Sequence, residues 1–277
     1  MIEIKKKKKV IKIELKNQDV IIPHIKFEPI QLKFISNCCT LYYNIIQHTM
    51  ISNIPENIIN IQFCSEFNQN ILPFLHEYII CIAFGEKYNK DVLNLPSYLE
   101  NLQFGRCFNQ SVSNLPTRLK RLTFGVEFNK PVDYLPNGIK YLTFGHNFNQ
   151  SVYDLPNSIK FIGFGYNFNQ SIDSLSLNKN LEQIVISSSS KFNNDISILP
   201  SNIKLVCLPF RYSSKIFLDQ DYNFLECIKI GLWYPKENIQ NLEKYKNIIM
   251  VDNIANNNWI TLKKLQKIKN YKITFWR

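Results

Sequence analysis

Histidines and cysteines are frequent metal ligands, and a cysteine thiolate is also a nucleophile, so their positions in this 277-residue sequence are the first to be compared with known sites. The histidines show no ligand spacing, and no cysteine pair has the two-residue separation of zinc knuckles and redox motifs. Their positions are His24, His48, His76, His146, Cys38, Cys39, Cys64, Cys81, Cys107, Cys207 and Cys227. The odd number of cysteines favours free structural thiols in a reducing compartment. We therefore predict no metal site and no cofactor.

Sequence motifs of catalysis are missing from the chain as well. It has no GxSxG nucleophile motif, no Walker loop and no Rossmann glycine pattern. No segment brings a serine, a histidine and an acidic residue together in a recognisable order. We therefore predict that the protein is not an enzyme.

Basic residues are concentrated at the two ends of the chain. The net charge is +11, yet residues 52–176 carry 9 basic and 10 acidic side chains. A nucleic-acid-binding protein usually carries its excess positive charge on the working surface, so this distribution argues against nucleic acid as the main partner. The lysine run Lys5–Lys9 has two interpretations, a solvated start of the chain or a patch for nuclear localisation, nucleic acid or anionic lipid.

The strongest signal is an internal repeat of 20 residues. NLPSYLENLQFGRCFNQSV (94–112) is followed by NLPTRLKRLTFGVEFNKPV (114–132), YLPNGIKYLTFGHNFNQSV (134–152) and DLPNSIKFIGFGYNFNQSI (154–172). Two less regular copies precede them, FCSEFN (63–68) and FGEKYN (84–89). A match at fixed period over six copies predicts a stack of structurally equivalent rungs.

At the pattern LPxxLxxLxFGxxFN the sequence resembles the FNIP repeat family, a relative of the leucine-rich repeats found in social amoebae and in giant DNA viruses. The resemblance covers residues 52–175. The sequence departs from the family pattern after the asparagine, where only Pro131 supplies the proline expected two residues later. The resemblance implies a solenoid in which an asparagine column hydrogen-bonds the backbone of adjacent rungs. The ladder positions are Asn68, Asn89, Asn109, Asn129, Asn149 and Asn169.

Twenty residues are too few for a strand, a full helix and their connections, so we predict a β-dominated solenoid of parallel strands in rungs of about 20–22 residues. Alternation in KYLTFG (140–145) points Leu142 and Phe144 inward and Tyr141 and Thr143 outward. The phenylalanines at 104, 124, 144 and 164 are then expected to form one stacked column, and those at 108, 128, 148 and 168 a second. The glycine after each strand predicts either a positive φ or a close approach to a neighbour.

Weaker copies extend the array into one continuous solenoid. We expect an N-terminal capping segment with the basic run (1–51), regular repeats (52–176), and degenerate repeats with a C-terminal cap (177–277). Apolar pairs predict strands at Ile13/Leu15, Leu32/Phe34, Ile249/Val251 and Ile273/Phe275. A short helix is expected within residues 38–52.

The outward strand positions vary while the core positions do not, which is typical of a binding face. We predict a protein-interaction scaffold whose partner-binding face consists of Asn101, Gln103, Arg121, Thr123, Tyr141, Thr143 and Phe161. Binding through another surface of the solenoid stays open, as does a purely structural role without a partner. Two further alternatives name a ligand: binding of nucleic acid or another polyanion by the basic ends, and substrate recognition for a ubiquitin ligase. The second follows from the resemblance, because FNIP repeats can follow an F-box, although residues 26–51 lack its Leu-Pro opening.

No apolar stretch reaches the length of a membrane-spanning helix, and the N-terminus lacks the apolar region of a signal peptide. The sequence therefore predicts an intracellular, cytoplasmic protein, within a host cell if it is viral, with nuclear localisation as the alternative that Lys5–Lys9 offers.

Overall fold

The computed structural model describes residues 40–43, 54, 56, 59–63, 65–70, 72–216, 222–231, 234–235, 248–251 and 259–261. Within these ranges the regular structure is almost entirely β, with short 3₁₀ turns at Leu72–Phe74 and Asp173–Leu177. The strands are β1 (Thr40–Tyr43), β2 (Asn60–Phe63), β3 (Cys81–Ala83), β4 (Asn101–Gln103), β5 (Arg121–Thr123), β6 (Tyr141–Thr143), β7 (Phe161–Phe164), β8 (Gln183–Ile186), β9 (Leu205–Cys207), β10 (Cys227–Gly231), β11 (Ile248–Val251) and β12 (Trp259–Thr261).

The strands form a single sheet in which the spatial order equals the sequence order from β1 to β12. Neighbouring strands are parallel from β1 through β11, and β12 pairs with β11 in the antiparallel direction. The register repeats with the sequence, since Leu102 lies beside Leu122 and Leu122 beside Leu142. One sequence repeat therefore makes one rung, and the chain is the leucine-rich-repeat-like solenoid that the repeat predicts.

The core lies on one side of this sheet and is built from equivalent positions of every rung. In the rung around β5, the buried apolar residues are Leu115, Leu119, Leu122, Phe124, Phe128 and Val132. Their counterparts 20 residues earlier and later are buried as well. Strand alternation produces this pattern, because Leu122 and Phe124 point inward while Arg121 on the same strand is exposed and Thr123 is half-buried.

Two columns of aromatic rings run through the core, as the sequence predicts. Phe124 stacks on Phe104 and on Phe144 with ring centroids 5.6 Å apart, and inside the rung its ring lies 3.7 Å from that of Phe128. The second column continues beyond Phe168 through Phe192, Tyr212 and Tyr234. Burying each ring contributes about 2 kcal/mol, so the columns supply a large share of the cohesion between rungs.

The glycine that follows each strand marks a close approach of two backbones. A Cβ atom on Gly125 would lie 1.9 Å from the carbonyl oxygen of Gly105, and one on Gly145 would lie 1.8 Å from that of Gly125. Among the described residues no glycine has a positive φ. Of the two explanations for this glycine, the structure selects close packing of consecutive turns.

Three sequence-based expectations about the ends differ from the structure or lie outside it. The expected helix within 38–52 is wrong at Thr40–Tyr43, which is β1; its residues are β-branched and aromatic, and β2 offers them an edge to pair with. The prediction for β11 is also wrong by one residue. It matched Ile249 and Val251 to Ile228 and Ile230 of β10, but the register places Ile248 beside Ile228 and Met250 beside Ile230. The strands expected at 13–15, 32–34 and 273–275 lie outside the described residues, and the three-part division of the chain stays a prediction.

Tyr88 occupies a position of the second aromatic column where the next rungs have phenylalanine. Its ring is fully buried, and its hydroxyl has no hydrogen-bond partner among the described residues. Burial raises the pKa of this phenol, so the group stays neutral. Because an unsatisfied buried hydroxyl is unfavourable, Tyr88→Phe should raise the free energy of unfolding by about 1 kcal/mol in a urea titration. A lower free energy of unfolding for Tyr88→Phe would contradict the conclusion that the hydroxyl lacks a hydrogen bond.

Candidate functional site

The candidate site is the outward side of strands β4 to β7. Parallel pairing places Asn101, Arg121, Tyr141 and Phe161 side by side in one outward column. The neighbouring column continues Gln103, Thr123 and Thr143 to Gly163. All seven residues predicted for the partner-binding face therefore lie on one surface, in two adjacent columns.

A cation–π contact lies at the centre of this surface. The guanidinium carbon of Arg121 is 4.1 Å from the centre of the Tyr141 ring, and 39% of Tyr141 is exposed. A contact of this kind at an exposed site contributes about 0.5–1 kcal/mol. The contact orders two long side chains while leaving both accessible to a partner.

Beyond Tyr141 the surface becomes apolar. A Cβ atom on Gly163 would lie 3.4 Å from the Phe161 ring, so this ring covers the glycine and is itself half-buried. We call the adjoining half-buried apolar residues of the outward side the apolar patch; it consists of Phe161, Val185, Leu205 and Cys207, and the amide of Gln183 lies between Phe161 and Leu205 in their column. Burial raises the pKa of the Cys207 thiol to about 11, so this cysteine is a neutral apolar contact and not a nucleophile.

A row of charged residues, lysines and glutamates, flanks the face one position before each strand from β4 to β10. We call Lys120, Lys140 and Lys160 the lysine row. Lys120 pairs with Glu100 at 2.5 Å, and Lys160 pairs with Glu182 at 3.3 Å. Lys204 and Lys160 hold the pKa of the Glu182 carboxyl below its usual value by donating hydrogen bonds to it. The lysine row was not predicted, although a lysine recurs in the sequence at the 20-residue period just before three consecutive strands.

The asparagines predicted as a ladder lie away from the strand face, in the turn that follows the second aromatic column. Each side-chain oxygen accepts a hydrogen bond from the backbone N–H of the equivalent residue in the next rung. The distances lie between 2.9 and 3.0 Å from Asn68 through Asn169. The ladder continues to Asn193 and Ser213, further than the sequence predicts. The Oδ1 atoms of this ladder therefore serve the stack itself by linking consecutive turns.

Removing one member of this ladder should destabilise the stack. The Oδ1 atom of Asn129 accepts from the backbone of Asn149 at 2.9 Å and from the side chain of Gln150 at 3.0 Å. Asn129→Ala leaves both donors without this acceptor, so we expect the free energy of unfolding to fall by about 1–3 kcal/mol in denaturant titrations. The matched change at exposed Asn137 should cost less than about 0.5 kcal/mol. Equal effects at the two positions would show that the ladder is energetically unimportant.

The residues weighed for metal binding and catalysis are scattered in the described part of the chain. No group of three or more histidine, cysteine, aspartate or glutamate side chains there could hold a metal ion. Cys81, Cys107, Cys207 and Cys227 are thiols outside disulfide bonds, Cys81 Sγ accepts a hydrogen bond from Asn101 Nδ2, and His146 stacks on Tyr166 with ring centroids 4.7 Å apart. Within the same residues no helix is long and apolar enough to cross a membrane. His24, His48 and Lys5–Lys9 lie outside the described residues.

The stacked parallel strands, the aromatic columns and the asparagine ladder define a β-solenoid of the leucine-rich-repeat type. Its repeats match the family model of the FNIP Repeat over residues 88–125 and 148–189, so the chain resembles that family. A search of curated proteins found no match. Among solved structures, the chain is similar to CroV588, a giant-virus protein described as a novel circular LRR structure, with 28% identity and a TM-score of 0.57. The alignment covers 73% of this chain and 34% of CroV588, so the chain spans about a third of that protein's length.

Proposed function

We propose that this chain is a non-enzymatic scaffold for protein–protein interaction and that the strand face around Arg121, Tyr141 and Phe161 binds the partner. The observation that carries the proposal is the exposed cation–π pair beside the apolar patch. Tyrosine and arginine are enriched among the residues that dominate binding energy in protein interfaces. Repeat solenoids of this type commonly mediate protein interactions, which supports the same assignment.

The backbone beneath the face supports the proposal because it is held in place before any partner arrives. Continuous strand pairing fixes the spacing of the outward side chains, and the asparagine ladder fixes the turns. A preorganised surface loses little conformational entropy on binding, so more of the contact energy appears as affinity. The ubiquitin-ligase and polyanion hypotheses stay predictions, since they depend mainly on residues outside the described ranges.

Affinity capture from host-cell lysate tests the proposal. The bait is the full chain, compared with an Arg121/Tyr141/Phe161 triple alanine variant. The matched control replaces one exposed cation and two exposed tyrosines in the segments between strands, namely Lys130, Tyr134 and Tyr153. We expect the face variant to lose captured proteins that the wild type and the control variant retain, with both variants showing wild-type circular dichroism. Identical sets of captured proteins for the two variants would contradict the proposed face.

A further inference from the structure

The proposed binding face has an unusual charge composition. Across β2 to β10 the outward positions include no carboxylate, and their charged residues are Arg121 and Lys229. The remaining outward residues are amides, hydroxyls, thiols, glycine and apolar side chains. The formal charge on the face itself is therefore positive, and carboxylates lie only along its edge, at Glu100, Glu182 and Glu226, one position before β4, β8 and β10.

The lysine row adds positive charge along the edge of this face. Backbone hydrogen bonds link its members directly, from Lys140 N–H to Lys120 at 2.8 Å and from Lys160 N–H to Lys140 at 2.9 Å. The outer two lysines are paired with Glu100 and Glu182. In the described part of the chain Lys140 makes no such ion pair, and it is exposed. Its ammonium group is thus placed between two lysines without a carboxylate of its own.

From these contacts we infer that the partner presents an acidic segment, with a carboxylate at Lys140 and an apolar side chain on the apolar patch. The inference rests on the proposed function, because it specifies the chemistry of the partner at that same face. Complementary charges across an interface steer association and exclude wrong partners. An apolar side chain of the partner that becomes buried on the apolar patch supplies affinity.

The spacing of the strands predicts the spacing of these groups in the partner. Lys140 precedes β6, and the apolar patch runs from Phe161 on β7 to Leu205 on β9, one to three strand spacings further along the sheet. At about 4.8 Å per spacing the separation is about 5–14 Å, which an extended segment covers in about two to four residues. The expected motif is therefore an aspartate or glutamate with a large apolar residue about two to four positions away.

Nucleic acid fits this surface less well than an acidic peptide. Glu100 and Glu182 pair with the two outer lysines and leave Lys140 as the unpaired cation of the row, which suits one or two carboxylates better than a run of consecutive phosphates. The face continues from the cations into the apolar patch, where phosphates would find no donor side chain from Phe161, Val185 or Leu205. A short peptide with one or two carboxylates beside an apolar side chain matches both halves of the face.

Peptide selection on the full chain tests the inference. Random 12-residue peptides displayed on phage are selected on the wild type, and the enriched sequences are synthesised for fluorescence-polarisation titrations. We expect aspartate and glutamate to be enriched, and Lys140→Glu to weaken binding of the selected peptide at least about tenfold through like-charge repulsion. The matched control Lys130→Glu makes the same change of charge outside the face and should alter binding less than about twofold. A peptide with its carboxylates replaced by lysine should bind Lys140→Glu better than it binds the wild type.

The remaining outcomes separate the inference from the function on which it rests. Peptides without acidic preference that still require Arg121, Tyr141 and Phe161 would overturn the acidic partner and leave the proposed face intact. Peptides that bind the triple alanine variant equally well, or no peptide that requires the face, would overturn both. Tighter binding of a 12-nucleotide oligothymidylate, with displacement of the selected peptide, would overturn the inference in favour of nucleic acid.

Discussion

Phe124→Ala should lower the free energy of unfolding by about 3–5 kcal/mol, the loss expected when a buried aromatic side chain is truncated in a core that cannot collapse. The ring is 3% exposed and stacks on rings of both adjacent rungs. Both aromatic columns are affected, because Phe128 of the same rung lies against it. Collapse into the gap is restricted, since the strand pairing on both sides fixes the distance between rungs.

Urea titrations followed by circular dichroism measure this loss. Tyr141→Ala is the control, because it removes a larger aromatic side chain from the exposed side of the adjacent strand and should leave folding nearly unchanged. An unchanged midpoint for Phe124→Ala would contradict the inward assignment. Strong destabilisation by Tyr141→Ala would contradict the strand phase.

Gly125→Ala should destabilise the protein far more than the addition of one methyl group usually does. The added methyl group would lie 1.9 Å from the carbonyl oxygen of Gly105, and its neighbours are backbone atoms that cannot rotate away. The two turns must therefore separate, so we expect a loss of at least about 2 kcal/mol in the same titrations. The strain comes from contact between turns and not from φ, since this glycine does not have a positive φ.

Gly163→Ala is the matched control for this prediction. A methyl group there would meet the Phe161 ring at 3.4 Å and Thr143 at 3.5 Å, both of which are side-chain contacts at ordinary distances. We expect a change of less than about 1 kcal/mol, partly offset by the lower conformational entropy of alanine in the unfolded chain. Equal losses at positions 125 and 163 would show that glycine is required for a reason other than contact between turns.

The rungs were predictable because their determinants are local and repeated. A pair of inward residues such as Leu122 and Phe124 sets the strand phase, and the same spacing 20 residues later sets the register. Every copy of the repeat predicts the same strand position, so a wrong strand assignment in one rung would disagree with those of the neighbouring rungs. At β11 the repeat has degenerated, and the prediction there is out of phase by one residue.

The remaining features depend on contacts that the sequence does not encode locally. Thr40–Tyr43 is a strand because β2 has an edge beside it, whereas a short apolar run alone fits either a helix or a strand. The Arg121–Tyr141 contact depends on rotamers as well as on register. The lysine row lies outside the strands, so strand alternation could not show that it borders the binding face.

Removal of one whole rung tests the central claim most directly. A variant lacking residues 120–139 joins Leu119 to Lys140, which occupies the position of Lys120 one rung later. We expect this variant to keep its β-sheet circular dichroism and to unfold cooperatively on heating, because Phe104 then meets Phe144 in the column. A variant lacking only residues 120–129 also removes β5 but leaves 30 residues between Leu102 and Leu142, so half a rung must loop out at that junction, and this variant should unfold at a lower temperature than the first. Loss of structure in the first variant, or equal thermal stability of the two, would contradict the stack of equivalent rungs.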